Sequence, residues 1–390
     1  MSQNNYDSFS RNFWDNLEKL QEFDKCTYNL DDTVPISREE VLSRLEDIVV
    51  QVVHQISGES IPNIRLRNRR TWENCRYVPN YGIQMVTTPT FSTVSFAKEN
   101  SVEKFGLILK IMSMIYKLLQ SDQVATKRDL YYEEPHLFRN QTMLDHIIDD
   151  IACMLEVPRR FLNVVATSKG CVVGDLSYTG PDGEVVDCLS ASSGVMIPAW
   201  IDKLDNFRTV HAKFVLVVEK DATFQRLIDD GLITSMPCVM ITGKGVPDVN
   251  TRLMVKRIWK ELEIPVFGLM DADPHGIEIM FVYRFGSVSQ SFDATSLSLP
   301  FLKWIGIFAS DIRRLQLPDD AVKALTSNDE MKCRDMLSRP YIPFHHDIQQ
   351  EIHEMLLTKK KAEIQSLTRI SQKYLSQVFI PSKIKHGDWI

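Results

Sequence analysis

Three acidic side chains follow two short apolar runs in this sequence, and together they could bind a metal ion. Residues 214–218 are Phe-Val-Leu-Val-Val and precede Glu219, whereas residues 266–270 precede Asp271 and Asp273. A short apolar run is typical of a strand that is buried on both faces of a sheet. Carboxylates just beyond such strands would lie at the carboxyl edge of an open α/β sheet, where these sheets bind their ligands.

Carboxylates that lie this close together repel one another unless a hard cation neutralises them. The pattern therefore predicts a magnesium site and magnesium-dependent chemistry on phosphates. A simpler interpretation is that Glu219 and Asp271 cap the helices after their strands, since acids often begin such helices. The Asp-x-Asp spacing of Asp271 and Asp273 favours the metal site, because both side chains can turn toward the same side of the strand end.

A glycine-rich segment follows the middle strand of the same region. Residues 242–248 are Thr-Gly-Lys-Gly-Val-Pro-Asp, in which Lys244 supplies a positive charge for a phosphate. Glycines let the backbone approach a ligand closely. The segment lacks the Walker spacing, so taken alone it favours a plain tight turn.

Two adjacent tyrosines, Tyr131 and Tyr132, are candidate nucleophiles. Neighbouring residues on a helix point about 100° apart, so one ring can face the core while the other faces solvent or DNA. A nucleophilic tyrosine needs a nearby cation and a metal ion that stabilises the transition state. Arg128 lies one turn before Tyr132, but buried tyrosines are usually structural, and the pair alone leaves both roles open.

The composition excludes several classes of protein. The chain has 390 residues, of which 44% are hydrophobic and 25% charged, as expected for a soluble protein of two or three domains. No apolar run approaches the length of a membrane span, and the polar start lacks a signal-peptide core. Seven cysteines without a Cys-x-x-Cys motif indicate reduced thiols in a cytosolic or nuclear protein.

The net charge of −6 does not indicate nucleic-acid binding, so any contact with DNA would depend on local basic patches and bound metal. The candidate patches are Lys127-Arg128, Arg159-Arg160, residues 65–70 and residues 359–361. A basic patch of this size, taken alone, more often belongs to a solvent-exposed surface than to a phosphate-binding site. Residues 65–70, Arg-Leu-Arg-Asn-Arg-Arg, are equally consistent with a nuclear-import signal.

The elements before residue 98 are expected to be few. Residues 1–36 are predicted to be loosely ordered apart from a helix near Phe13, and residues 57–97 to form loops and short strands. A capping box at Ser37–Glu40 predicts the start of a helix over 38–56. Its apolar stripe consists of Val41, Leu45, Ile48, Val49, Val52 and Ile56. Such a stripe either packs on the core or docks a partner protein.

The next region contains a helix over 102–120, a capped short helix from Thr126 through Tyr132, and a helix over 141–156. A hairpin is predicted from Leu162 to Val173, and three helices followed by a hairpin are typical of a winged helix. Beyond residue 205, strands are predicted at 214–218, 238–242 and 266–270, with helices at 222–230, 251–262 and 276–285. This βαβαβ order predicts a parallel sheet. A helix at 360–375 and a basic tail from Pro381 complete the prediction.

In combination, these segments resemble the topoisomerase VI A-subunit family. Residues 218–221, 242–248 and 271–276 resemble the Toprim domain of that family, and Lys127-Arg-Asp-Leu-Tyr-Tyr132 resembles its catalytic tyrosine motif. The similarity covers roughly residues 100–390 and is narrowed to the eukaryotic meiotic branch by further motifs. These motifs are Asp273–Glu278, Trp304–Gly306, Arg339–Tyr341, Ala362–Gln365 and Lys385–Ile390.

The resemblance implies a multidomain α/β and α+β fold. A winged-helix domain at 99–204 would carry the tyrosine, and a Toprim metal-binding domain with a C-terminal extension would occupy 205–390. Residues 1–98 would form an N-terminal region whose helix 38–56 docks a partner. Members of the meiotic branch make the double-strand breaks that initiate recombination.

For the site, the resemblance implies that Tyr132 attacks a DNA phosphodiester and becomes linked to the 5′ end, with Arg128 helping to bind the phosphate. Glu219, Asp271 and Asp273 would hold Mg²⁺, for which Mn²⁺ can substitute. Lys127, Lys244, Arg159 and Arg160 are further candidates for contact with DNA. Tyr131 remains the alternative nucleophile.

The implied partners are double-stranded DNA, accessory meiotic proteins, a second copy of the chain and a B-type topoisomerase VI-like subunit. The complex would act in the nucleus, and no membrane is expected among its partners. Each active site would combine the tyrosine of one protomer with the metal of the other. Two other functions stay open. One is a general type IIB topoisomerase A subunit that also reseals DNA. The other is a non-catalytic DNA-binding module, against which the intact tyrosine and acids argue.

Overall fold

The computed structural model describes residues 3–28 and 36–390, with side chains from residue 13 onward. The helices are α1 Gln3–Thr27, α2 Arg38–Ser57, α3 Glu99–Gln120, α4 Lys127–Glu133, α5 Gln141–Leu155, α6 Asp221–Asp229, α7 Leu232–Ser235, α8 Val249–Leu262, α9 Pro274–Arg284, α10 Ala294–Leu297, α11 Ala309–Arg314, α12 Ser327–Leu337, α13 His346–Thr358 and α14 Ile380–His386. Within these described parts, no helix combines the length and apolar character that crossing a membrane requires.

The strands are short. They are β1 Asn63–Arg67, β2 Cys75–Val78, β3 Gly82–Met85, β4 Phe91–Ser95, β5 Ala125–Thr126, β6 Val164–Val165, β7 Cys171–Gly174, β8 Ser177–Thr179, β9 Val185–Asp187, β10 Val195–Met196, β11 Asp205–Arg208, β12 Val215–Val218, β13 Val239–Thr242, β14 Val266–Leu269, β15 Lys303–Gly306, β16 Lys323–Ala324 and β17 Lys360–Lys361. The prediction of loops and short strands over 57–97 is confirmed by β1 to β4.

A six-stranded sheet forms the centre of the C-terminal part, in the order β10-β7-β13-β12-β14-β15. The four adjacent strands β13, β12, β14 and β15 run parallel to one another. Every residue of β12, β13 and β14 is buried. The predicted βαβαβ order and the parallel sheet are therefore confirmed. One hydrophobic cluster covers each face of the sheet. These strands are therefore apolar along their length, instead of alternating between apolar and polar residues.

The predicted hairpin over residues 162–173 is wrong. β6 pairs with β5, whereas β7 joins the large sheet antiparallel to β13. The turn between them docks on the start of α8, where the Lys169 backbone N–H donates to Asp248 Oδ2 at 2.9 Å. A Cβ on Gly170 would lie 2.3 Å from Thr251 Oγ1, so the chain can pass here only without a side chain.

All four residues of β7 are buried, as suits an interior strand and not an exposed wing. The division at 98/99 and 204/205 remains a prediction. Hydrogen bonds nevertheless join β7, from the predicted second region, to a strand of the third.

A third hydrophobic cluster holds α2 to α5 and β1 together. The helix predicted over 38–56 is confirmed as α2, and Ser37 caps it by accepting the Glu40 backbone N–H on its side chain. Val41, Leu45 and Val52 are buried. Ile48 is partly buried and packs against the same cluster, whereas Val49 and Ile56 are 46% and 59% exposed and lie outside the core.

The first helix is longer than the sequence predicted. Residues 1–36 were expected to be loosely ordered outside the vicinity of Phe13, yet α1 continues to Thr27, and residues 29–35 lie outside the described ones. Phe13, Leu17 and Leu20 are buried in the cluster that also contains residues of α14. Packing against a distant helix, which local pattern does not reveal, explains the difference.

The C-terminal elements also differ from the prediction. The helix expected over 360–375 is replaced by β17 and a 3₁₀ segment, Ile364–Arg369, because backbone bonds to other parts of the chain take precedence. The expected basic tail is α14, in which Lys383 is only 2% exposed. Its ammonium group lies 3.1 Å from Asp311 Oδ2 and 3.0 Å from Asp388 Oδ2.

Leu17→Ala tests the packing of α1. Leu17 is 3% exposed, and truncating a buried leucine costs about 2–5 kcal/mol of unfolding free energy. We expect a destabilisation in that range by chemical denaturation, against less than about 0.5 kcal/mol for Glu18→Ala on the exposed face of the same helix. Equal effects of the two substitutions would contradict the docking of α1.

Candidate active site

The tyrosine pair lies on α4, whose start is fixed by a complete capping box. Thr126 Oγ1 accepts the Asp129 backbone N–H at 3.1 Å, and Asp129 Oδ2 accepts the Thr126 backbone N–H at 2.8 Å. Tyr131 is half-buried and packs against the helical cluster, whereas Tyr132 is 61% exposed. The predicted division, with one ring toward the core and one toward solvent, is confirmed.

Arg128 lies beside the exposed ring. Its guanidinium carbon is 5.7 Å from the Tyr132 ring centroid. A cation at this position can attract and hold a phosphate. Across the described stretches 3–28 and 36–390, no hydrogen bond or ion pair joins Tyr132 or Arg128 to the three acids.

The three acids lie at the carboxyl ends of two neighbouring parallel strands. Glu219 directly follows β12, and Asp271 follows β14 after one residue. Asp273 is the N-cap residue of α9. Glu219 Oε2 accepts the Asp271 backbone N–H at 2.8 Å, so the two strand ends are joined. Asp273 Oδ1 accepts the backbone N–H groups of His275 and Gly276 at 2.9 and 2.6 Å.

The interpretation of Glu219 and Asp271 as helix caps is wrong, because Lys220 and Asp273 occupy those positions before α6 and α9. Gly276 explains how α9 can start so close to the acids. A Cβ at this position would lie 2.4 Å from the Asp271 carbonyl oxygen, which only glycine avoids.

The electrostatics of this edge favour a bound cation. Burial, and then the charge of Asp271, raise the pKa of Glu219 from 4.5 to about 8. Burial likewise raises the pKa of Asp271, although Lys220 acts in the opposite direction. Buried carboxylate oxygens that are costly to ionise are suitable ligands for a hard divalent cation, which would offset that cost.

The acids are nevertheless engaged by the protein itself. Asp271 Oδ2 lies 2.6 Å from the Lys220 ammonium, and Asp271 Oδ1 accepts the Ile364 backbone N–H at 2.8 Å. Among residues 3–28 and 36–390, no three His, Cys, Asp or Glu side chains are arranged as a ready set of metal ligands. The donor type therefore fits a hard cation, and the Lys220 ammonium already neutralises part of the negative charge at Asp271.

The basic residues proposed to contact DNA already have acidic neighbours. Lys127 and Arg159 lie 3.2 and 3.5 Å from Asp149 Oδ1, and burial lowers the pKa of Lys127. Arg160 bonds Asp293 and Asp202, and the Lys244 ammonium lies 3.5 Å from Asp221 Oδ1. The Gly-Lys-Gly segment is a tight turn, with positive φ at Lys244 and Gly245. A role in DNA contact remains a prediction for all four basic residues.

Sequence reasoning missed two side chains at this edge, Lys220 and Glu363. Lys220 follows Glu219 directly, and its ammonium lies 3.0 Å from Glu363 Oε2. The motif Ala362–Gln365 was a visible signal, but its position beside the acids depends on the fold. Its backbone pairs with Ala272 through an isolated bridge.

The raised pKa of Glu219 predicts how stability depends on pH without metal. Between about pH 5 and 8 the folded protein keeps a proton that the unfolded chain releases, so stability falls as pH rises through this window. We expect wild type in a chelator to lose on the order of 1 kcal/mol or more relative to Glu219→Gln from pH 5 to 8. Urea unfolding at both pH values measures this.

Asp182→Asn, which removes an exposed acid, is the matched control and should follow the wild-type curve. Parallel pH profiles for wild type and Glu219→Gln would contradict the assignment of a buried, proton-retaining carboxyl group.

Comparison with known proteins covers both parts of the site. Residues 214–384 match the family described as the Toprim domain of the Topoisomerase 6 A-subunit/Spo11, and residues 103–164 match that described as Type IIB DNA topoisomerase. The chain is 48% identical over 355 residues to the meiotic recombination protein SPO11 of Homo sapiens, which covers 91% of this chain and 89% of the human protein.

Relatives that carry the name of a topoisomerase are also similar. The chain is 36% identical over 357 residues to the DNA topoisomerase 6 A-subunit of Arabidopsis thaliana, covering 90% of this chain and 81% of that protein. Meiotic recombination protein SPO11-1 of Oryza sativa subsp. indica is 31% identical over 361 residues, covering 89% of this chain and 92% of the relative.

Proposed function

Because this chain belongs to the family of Spo11 and the topoisomerase VI A-subunit, we propose that it is a topoisomerase-like DNA transesterase that makes the double-strand breaks initiating meiotic recombination. One observation carries the proposal. A single chain combines the exposed Tyr132, next to Arg128, with buried acids at the carboxyl edge of a Toprim-type sheet. The higher identity to the meiotic protein than to the topoisomerase subunit favours the break-forming role.

In the proposed reaction, Tyr132 Oη attacks a backbone phosphorus of DNA. The new bond joins the tyrosine oxygen to the 5′ phosphate, the bond from phosphorus to the 3′ oxygen breaks, and the leaving oxygen takes up a proton. The phenol proton passes to solvent, and Arg128 holds the phosphate. Reversal of the same transfer would reseal the strand.

Glu219, Asp271 and Asp273 would hold a divalent cation, which we assign as Mg²⁺ with Mn²⁺ as a substitute. When bound, this ion would stabilise negative charge on the phosphate. The protein's own contribution is to bury Glu219 and Asp271 and to join them through the hydrogen bond from the Asp271 backbone N–H to Glu219.

Two copies of the chain would complete the site. Tyr132 lies on α4, whose Leu130 is buried in the cluster of α3 and α5, whereas the acids follow strands of the large sheet. This separation supports a composite site, in which the tyrosine of one protomer meets the acids of its partner on duplex DNA. Two such sites would cut both strands.

We assign residues 99–204 as a winged-helix-type unit on the strength of its capped tyrosine helix and three-helix core, although its wing is not the predicted hairpin. The exposed apolar side chains of α2, among them Val49 and Ile56, support docking of a B-type subunit there. Accessory meiotic proteins and a nuclear location follow from the proposed role.

Mass spectrometry of DNA-linked peptides tests the proposal. The chain, with its B-type partner, is incubated with duplex DNA and Mg²⁺ or Mn²⁺, and adducts are digested and sequenced. The expected result is a nucleotide-modified peptide with the adduct on Tyr132. A different modified residue, or adducts that form equally well in excess chelator, would refute the assignment.

Supercoil relaxation by the same complex with ATP separates break formation from a general type IIB topoisomerase. Covalent breaks without relaxation are expected here. Relaxation at a rate comparable with that of the Arabidopsis topoisomerase complex would instead favour the resealing activity.

A further inference from the structure

A four-residue segment, Ala362–Gln365, lies across the acid-bearing edge of the sheet, and we call it the strap. The backbones of Ala362 and Ala272 exchange hydrogen bonds of 2.9 and 3.0 Å. The Ile364 backbone N–H donates to Asp271 Oδ1 at 2.8 Å, and Gln365 Nε2 donates to Thr223 Oγ1 at 3.3 Å. The strap therefore contacts the segment of Asp271 and the first turn of α6.

Glu363 is the strap residue whose side chain carries charge. Its Oε2 lies 3.0 Å from the Lys220 ammonium, and its other oxygen bonds Lys323. Lys220 is simultaneously 2.6 Å from Asp271 Oδ2. The Lys220 ammonium is thus shared between a proposed metal ligand and a carboxylate of the strap.

This sharing matters because a divalent ion on Asp271 Oδ2 would lie close to the Lys220 ammonium that now contacts the same oxygen. Asp271 Oδ1 already accepts the Ile364 N–H, so Oδ2 is the oxygen that a divalent ion would take. Two positive charges a few ångströms apart in a poorly hydrated site repel strongly. This repulsion favours movement of the ammonium away from Asp271, and Glu363 is a carboxylate already within bonding distance.

We propose that Glu363 is a positioning residue that receives the Lys220 ammonium when a divalent cation binds Asp271. The transfer lowers the cost of metal binding and leaves Lys220 beside the ion, where its charge can pair with a DNA phosphate. This inference rests on the proposed function, since it takes Glu219, Asp271 and Asp273 as the metal-binding set.

A double-mutant cycle on Mn²⁺ affinity tests the inference without relying on activity. Isothermal titration of Mn²⁺ into the full chain compares wild type, Glu363→Gln, Lys220→Met and the double variant. In Glu363→Gln the ammonium loses the negative charge of its second partner, so we expect the Kd for Mn²⁺ to rise about tenfold. In the Lys220→Met background the same change should raise the Kd less than about threefold.

Lys323→Met is the matched control, because Lys323 pairs with Glu363 without contacting Asp271. Its Kd should stay within about twofold of wild type, and thermal melting of every variant checks the fold. If Glu363→Gln raised the Kd for Mn²⁺ by the same factor with Lys220 present and in Lys220→Met, the positioning role would be overturned. A general loss of negative charge or of structure would act equally in both.

Asp271→Asn distinguishes failure of this inference from failure of the proposed function. If wild type binds Mn²⁺ and Asp271→Asn does not, the metal set stands and the cycle decides the role of Glu363. If the two proteins bind Mn²⁺ equally well, the metal set itself is refuted, and the role of Glu363 with it.

Discussion

Replacing Tyr132 with phenylalanine is expected to eliminate covalent protein–DNA adducts and to lower break formation by at least about 10³-fold. The change removes only the hydroxyl that would attack phosphorus. Because the ring is 61% exposed, the loss should leave the free energy of unfolding within about 0.5 kcal/mol of wild type. The measurement is denaturing electrophoresis of protein-linked DNA, with urea unfolding as the test of folding.

Tyr131→Phe is the matched control on the neighbouring residue. Its ring packs against the helical core, at 6.3 Å from Phe138, and phenylalanine preserves that packing. Adducts should form at near-wild-type levels. Loss of adducts in Tyr131→Phe together with their persistence in Tyr132→Phe would reverse the assignment of the nucleophile.

The second large effect is expected from Asp271→Asn. An amide matches the carboxylate in shape, but it lacks the charge that a divalent ion and Lys220 both require. We expect DNA cleavage to fall by about 10²–10³-fold. The affinity of the variant for DNA should be low, equal to that of wild type in excess chelator, and unchanged by added Mg²⁺, as measured by fluorescence anisotropy of a labelled duplex.

Asp182→Asn serves again as the control, since it removes one exposed carboxylate far along the chain from the acid edge. It should retain both cleavage and magnesium-dependent binding. Wild-type protein that binds DNA equally tightly with and without chelator would show that the metal is not needed for DNA engagement.

Local pattern was enough to predict the elements that carry the chemistry. β12, β13 and β14 were recognisable because each is a continuous apolar run, and α4 because Thr126 and Asp129 cap it through neighbouring residues. Helical geometry predicted that one ring of the Tyr131–Tyr132 pair could face solvent, but not which of the two. Such features depend on residues that lie within one or two turns of each other.

Features that depend on distant contacts were not predictable. β7 was taken for a wing because nothing nearby indicates its pairing with β13. Glu363 lies 143 residues after Lys220, so their ion pair exists only in the folded chain. The helix expected over 360–375 failed for the same reason, because Ala362 pairs with the Ala272 backbone and the Ile364 N–H bonds the Asp271 side chain.

The pairing of β7 has a practical consequence for work with fragments. A fragment that begins at the expected boundary, residue 205, would lack β7 and β10 and leave β13 as the outermost strand. All residues of β13 are buried and most are apolar, so its open backbone groups would offer a template for intermolecular strand pairing. Insolubility of such a fragment would reflect an unprotected sheet edge, and a soluble metal-binding fragment should begin before Cys171.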